Sequence, residues 1–303
     1  MHQPNEVTLQ AMEAFQDQGC VRRKRPIQRF WFALFRCAAG VNGVALAIIC
    51  GYILVLGLPA ISWEFVSAEP RDSMTAGGIF PCILGTVLLS YGSLLLALPW
   101  GVGTAIYLQE YARPGKIVHA IRLAINNLAG VPSVVFGLFG LAFFVTLMDM
   151  GVSLLAGMCT LAALILPLII GASEEALRAV PQTYREASLA LGATKWQTIS
   201  QVVLPAALPG VLTGAILGVS KAAGETAAIM FTAAVFFNRE LPTSLLDEVM
   251  ALPYHIYVLA TAGTDIEKTR PLQYGSALVL IVLVLGMNFL AIYLRARIRN
   301  RMR

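Results

Sequence analysis

Six apolar runs divide the chain, at about Cys37 to Ile61, Ile79 to Leu108, Leu128 to Met148, Ser153 to Ala172, Ala206 to Phe237 and Tyr274 to Leu294. Each is close to or longer than the roughly 20 residues that a helix needs to cross a hydrocarbon core. In lipid every backbone N–H and C=O must be paired within the segment or within a closed barrel. No strand-like alternation of the barrel kind is present, so the expected fold is all-α, a membrane protein of six transmembrane helices. The composition agrees: of 303 residues 57% are hydrophobic and 13% charged, against about 25% charged in a soluble domain. No room is left for a large soluble domain. A polar start and the basic cluster Arg22, Arg23, Lys24, Arg25 and Arg29 precede the first run. That run exceeds a signal-peptide core, so it reads as an uncleaved span.

The distribution of Lys and Arg predicts orientation, because cytoplasmic loops carry the excess. With both termini inside, 17 of the 22 basic residues face the cytoplasm and four the outside, with Lys221 alone inside a span. The expected organisation is a basic cytoplasmic segment 1–36, a six-span domain 37–294 and a basic cytoplasmic tail 295–303. Within the domain, a cytoplasmic loop 173–205 and an external loop 238–272 are long enough to recognise something.

Several classes of chemistry lack their residues. The five cysteines, Cys20, Cys37, Cys50, Cys82 and Cys159, have no C-x-x-C spacing and read as small hydrophobes. His2, His119 and His255 are scattered, so no metal site is expected. No nucleic-acid motif accompanies the net charge of +5. No G-x-x-x-x-G-K-[ST] occurs, so the chain has no loop of that kind to cradle ATP.

In the loop 173–205, Ser173 is expected to cap a helix with Glu174 and Glu175 in its first turn. Pro181 suits the start of a second short helix through Leu191. Gly192 can supply a left-handed turn residue, and Thr194 with Gln197 makes a capping-box pattern for the next helix. The prediction is helix, sharp turn, helix.

The spacing Glu186-Ala187-Ser188, three residues, Gly192, nine residues, Val202, one residue, Leu204-Pro205 resembles the EAA loop, E-A-A-x3-G-x9-I-x-L-P, of permeases of type I ATP-binding-cassette importers. Ser188 stands for the second alanine and Val202 for isoleucine. Physically it is a small-residue helix able to enter a partner's groove, a turn glycine, and a Leu-Pro that opens the next span. An interfacial amphipathic linker is the alternative.

Further stretches narrow the resemblance: Gly77-Gly78-Ile79-Phe80-Pro81 with Leu84-Gly85-Thr86, the run from Asn126 to Leu141, Gly224-Glu225-Thr226-Ala227, and Met250 to Tyr257. Together they are similar to the PstA family, one of the two permease types of bacterial phosphate importers. The family pattern has arginine where this chain has Lys221, a point charge without a planar fork. It has proline where this chain has Ala228. The resemblance implies ATP-driven uptake of inorganic phosphate across the bacterial inner membrane. The implied partners are a PstC-like sister permease, a PstB-like ATPase dimer and an external PstS-like phosphate-binding protein. No cofactor is implied in this chain, ATP and Mg being used by the ATPase.

Lys221 and Glu225, four apart, are expected to share one face of the fifth span. Such charge usually faces a cavity or the bundle interior. The pair either lines the pathway or gate, or is a structural ion pair, or Lys221 snorkels to the interface. Thr226, and Asn126, Asn127 and Ser133 on span three, either donate hydrogen bonds to substrate or join helices. Gly210, Gly214 and Gly218 form a small-residue stripe expected to pack another helix. Gly130 and Pro132 are expected to break span three into a tilted entry segment and a spanning segment. The external loop is expected to hold a short helix with Tyr254, His255 and Tyr257, which either docks a binding protein or lies at the lipid interface. The competing functions are a permease for molybdate, tungstate or sulfate, a self-sufficient secondary transporter, and an intramembrane enzyme. The last lacks a catalytic constellation.

Overall fold

A computed structural model describes the backbone of residues 18–71, 76–238, 241–262 and 266–301. Several charged residues lie outside the described ones: those at the start of the chain, with His2, and Arg239, Glu240, Asp265 and Arg303. The side chains of Cys20, Arg22, Arg23, Lys24, Arg25, Glu267, Lys268, Arg299 and Arg301 lie outside them as well. The chain forms two compact units, residues 1–54 and 55–303.

The first unit is helical. Helix α1 (Gln18–Gly57) begins well before Cys37, so the basic stretch and the apolar run share one helix and residue 36 marks no structural break. A polar side chain in this run is satisfied internally, the Asn42 amide donating to the Ala38 carbonyl at 2.9 Å.

The second unit opens with a 3-10 turn Leu58–Ala60 and helix α2 (Trp63–Ser67), capped by the Ser62 hydroxyl on the Phe65 N–H. A two-residue antiparallel pair, β1 (Pro70–Arg71) and β2 (Ala76–Gly77), is a small departure from an all-helical chain. Gly77, the second residue of β2, takes φ +90°. Helix α3 (Phe80–Ile106) starts with Pro81 in its first turn and runs into a π turn, Tyr107–Tyr111.

The third apolar run breaks where Gly130 and Pro132 predict. Helix α4 (Lys116–Ala129) meets α5 (Ser133–Gly140), with its π turn Leu141–Leu147, at a bend of 98°. Proline has no N–H to continue the ladder and pushes its predecessor out of the helical region. Helix α6 (Leu154–Arg178) is capped by Ser153 on the Ala156 N–H. Ser173 is no cap: it lies inside α6, fully buried. The apolar periodicity of α6 carries the helix through Glu174 and Glu175 without a stop signal.

Helices α7 (Gln182–Ala190) and α8 (Lys195–Thr198) follow, and a π turn Ile199–Val203 leads into α9 (Leu204–Ala223). The fifth run was expected to continue as one span to Phe237, but the helix stops at Gly224, where the chain turns and a 3-10 turn Ile229–Phe231 follows. Glycine is the weakest interior helix former next to proline. The short helix expected in the loop 238–272 is present as α10 (Leu252–Thr261), and α11 (Ile266–Arg301) ends the described chain. Among the described residues five helical segments are long and apolar enough to span, and the bent pair makes six.

Helices α3, α6 and α9 form the centre. Leu89, Leu161, Ile165 and Ile169 are essentially inaccessible there, with Phe136, Ile229 and Val249. Two glycines of the stripe lie close against α6: a Cβ on Gly210 would strike that of Ala176, and one on Gly214 would lie 2.7 Å from that of Ala172. Such close approach of α9 to α6 is what small residues permit where no hydrophobic effect drives association.

Candidate functional site

The loop after α6 forms the predicted device. Helix α7 ends at Ala190 with Leu191 as its C-cap, and Gly192 takes φ +86°. The Thr194 hydroxyl accepts from the Gln197 N–H while the Gln197 side chain accepts from the Thr194 N–H, a complete capping box. Nothing lies within 4 Å of a Cβ placed on Gly192, so the glycine is required by the backbone angle and not by crowding. Pro205 sits in the first turn of α9, behind the π turn, where its missing N–H disturbs least.

The surface of this turn carries large apolar side chains. Tyr184, Leu189, Leu191 (90% exposed) and Trp196 (63% exposed) all face outward, beside exposed Glu186 and Ala187. Exposed large apolar side chains in one place mark an interaction surface. Ser188 turns inward instead, its hydroxyl 3.0 Å from that of Thr198, which joins α7 to α8.

Sequence reasoning missed what holds the turn in place. The Arg185 guanidinium donates to both carboxylate oxygens of Glu110, at 2.7 to 3.3 Å, and to the carbonyls of Val180 and Leu177. Both side chains are almost buried. Arg185 thereby ties α7 to the π turn that ends α3, and to the carbonyls of Leu177 in the last turn of α6 and of Val180 just beyond it. A second tie, Arg122 to Glu174 at 2.6 Å, joins α4 to α6. Two acids and two bases at span ends were the available signal, but their pairing needs the fold. Lys195 also lies over the Tyr111 ring at 4.8 Å.

The expected pathway residues are placed less simply. Lys221 is exposed in the last turn of α9, whereas Glu225 and Thr226 lie beyond its end, partly buried. Lys221 and Glu225 therefore do not share a helix face, and no ion pair joins them among the described residues. Gly224 is the reason, because the helical i, i+4 relation ends there. Ser133 begins α5, and Gly137 on that helix abuts the same turn: a Cβ there would lie 2.8 Å from the Ala227 carbonyl and 3.1 Å from Ala228. Two of the singled-out motifs thus meet. Asn126 and Asn127 are exposed on α4, across the bend, and Asn126 borders a separate polar cavity of about 290 Å3 with Arg122, Glu174, Glu175 and Arg178.

In the loop 238–272, α10 packs inward. His255 is 4% exposed with Nδ1 unpartnered, and burial pushes its pKa down to about 4. Leu252 donates its N–H to the Thr86 hydroxyl at 2.9 Å, and a Cβ on Gly85 would collide with the Met250 carbonyl. Tyr257 remains exposed. Asp247 accepts from the N–H groups of Ser244 and Thr243 and from the Thr243 hydroxyl, which lowers its pKa.

The family described as "Binding-protein-dependent transport system inner membrane component" matches residues 97–303. A probable ABC transporter permease protein, YqgI of Bacillus subtilis, is 31% identical over 88% of this chain and 97% of its own. Phosphate transport system permease protein PstA 2 of Mycobacterium bovis is 33% identical over 93% and 92%. Among solved structures, a bacterial alginate ABC transporter in complex with its periplasmic protein superposes with a TM-score of 0.63 at 16% identity, covering 91% of this chain and 98% of that one. That likeness speaks for the fold. The apolar spans and these matches make the chain a multi-pass membrane protein and an ABC importer permease subunit. The chain belongs to the family of inner-membrane components of binding-protein-dependent transport systems, within which its sequence places it among the PstA-type permeases.

Proposed function

We propose that this subunit forms part of the route by which inorganic phosphate enters the cell, and that a separate ATPase drives it through the α7–Gly192–α8 turn. The observation that carries the coupling is the turn, with its exposed large apolar side chains, held to α3 and α6 by Arg185. Glu186 and Ala187 lie on the face offered to the ATPase, Ser188 and Gly192 shape the turn, and Leu204 and Pro205 pass its movement into α9. Phosphate as substrate is supported by the PstA relatives. Lys221, unneutralised and exposed, is the cation that attracts the anion, with Glu225, Thr226 and Ser133 at the adjoining turn and Asn126 and Asn127 toward the other end of the route. Both termini are cytoplasmic on this reading. The partners are a PstC-like permease, a PstB-like ATPase dimer using ATP and Mg, and a PstS-like binding protein. This chain contributes no nucleotide site.

Radiolabelled phosphate uptake into ATP-loaded proteoliposomes tests the reading. Uptake only in the full assembly is expected. Uptake by the chain alone overturns the shared route, and movement of molybdate or sulfate in place of phosphate overturns the substrate.

A further inference from the structure

Between α3, α9 and α11 lies an apolar groove of about 320 Å3. Ala215 and Met287 form its buried floor, exposed Tyr91 and Leu290 stand at its rim, and Arg295 closes one end. All these side chains belong to spanning segments. From Met287 to Arg295 the groove follows α11 for about 12 Å at 1.5 Å per residue. That length is shorter than one leaflet of a hydrocarbon core about 30 Å thick. Arg295 is half-buried and enters no ion pair among the described residues, and α11 has no acid after Glu267.

A trough of hydrocarbon side chains with an unneutralised guanidinium at its end complements an amphiphile that has an apolar tail and an anionic head. Free phosphate has no tail to place there, and a partner helix would bring no charge to Arg295 unless it carried an acid at that level. Guanidinium pairs phosphate oxygens in a planar fork. Basic pockets between spans bind anionic headgroups. We propose that the groove seats one acyl chain of an anionic phospholipid whose phosphate pairs with Arg295. The site is independent of the substrate the subunit carries. Because it bridges α3, α9 and α11, an occupant would link the helix that follows the coupling turn to its two neighbours.

Native mass spectrometry of the purified full complex, after exchange into mixed micelles of phosphatidylglycerol and phosphatidylcholine, tests this. One phosphatidylglycerol per copy is expected to persist when phosphatidylcholine is stripped. Arg295→Gln should lower that retention about fivefold, the ratio for one juxtamembrane cation worth about 1 kcal/mol. Ala291→Phe, which fills the groove, should abolish it with the subunit stoichiometry unchanged. Equal retention of both lipids by the wild type, or unchanged retention in Arg295→Gln, overturns the proposal. So does a photo-crosslinker at Leu290 that captures a protein subunit and no lipid.

Discussion

Arg185 grips Glu110 through both carboxylate oxygens from 75 residues away, and the same guanidinium holds the carbonyls of Leu177 in the last turn of α6 and of Val180 just beyond it. Breaking a buried pair leaves the surviving charge unpaired and costs about 3 kcal/mol or more. Glu110→Gln should lower the thermal stability of the complex and raise ATP hydrolysis per phosphate taken up. A double-mutant cycle with Arg185→Met checks the pair: if the two losses simply add, the residues do not act together.

Gly192→Ala introduces a side chain at φ +86° with no neighbour to strike, so its effect is purely conformational, about 1 kcal/mol. Gly192→Asn, which tolerates the left-handed region better, should fall between wild type and alanine in the ratio of hydrolysis to uptake. Equal ratios in all three would exclude a coupling role for the turn.

Lys221→Ala should abolish uptake while the subunits still assemble, and Lys221→Arg should retain it, since the charge is what attracts the anion. Glu225→Gln should act separately, because the two side chains are not paired. Normal uptake by Lys221→Ala in proteoliposomes would remove this residue from the route.

Gly214→Leu places a branched side chain where Ala172 already lies 2.7 Å from an added Cβ, forcing α9 off α6. Overpacking of this kind costs about 1–3 kcal/mol. A lower melting temperature and loss of assembled complex on size-exclusion chromatography are expected. A melting curve like that of the wild type would show that the contact yields.

His255 has a lowered folded-state pKa of about 4 against an ordinary value of 6.5. The folded state thus binds fewer protons than the unfolded one between those values, and stability falls as pH falls from about 6.5 to about 4. Replacing His255 by Leu should flatten the melting temperature across that window. An unchanged slope would assign the pH response to other groups.

Local devices were legible in the sequence. Gly192 and the Thr194–Gln197 box need only residues within a few positions of each other, and the Gly130–Pro132 break follows from proline geometry. The end of α9 was not legible, because an apolar run to Phe237 reads alike for a helix and for a buried non-helical segment. Gly224 was its one signal. Ser173 shows the reverse error, a residue that can cap but is carried inside a helix by its neighbours' periodicity. Nor does any local rule pair Thr86 with Leu252, or Arg185 with Glu110, since those contacts exist only after distant spans have packed.

The 98° bend leaves the third crossing to the eight residues of α5 and the seven of its π turn. These reach about 20 Å, against a hydrocarbon core of about 30 Å. The mismatch requires the surrounding medium to adapt, either by a local thinning of the bilayer or by replacement of lipid with neighbouring protein. A permeation route beside that short segment crosses a thinner hydrocarbon slab than one beside α6, whose 25 residues reach about 37 Å.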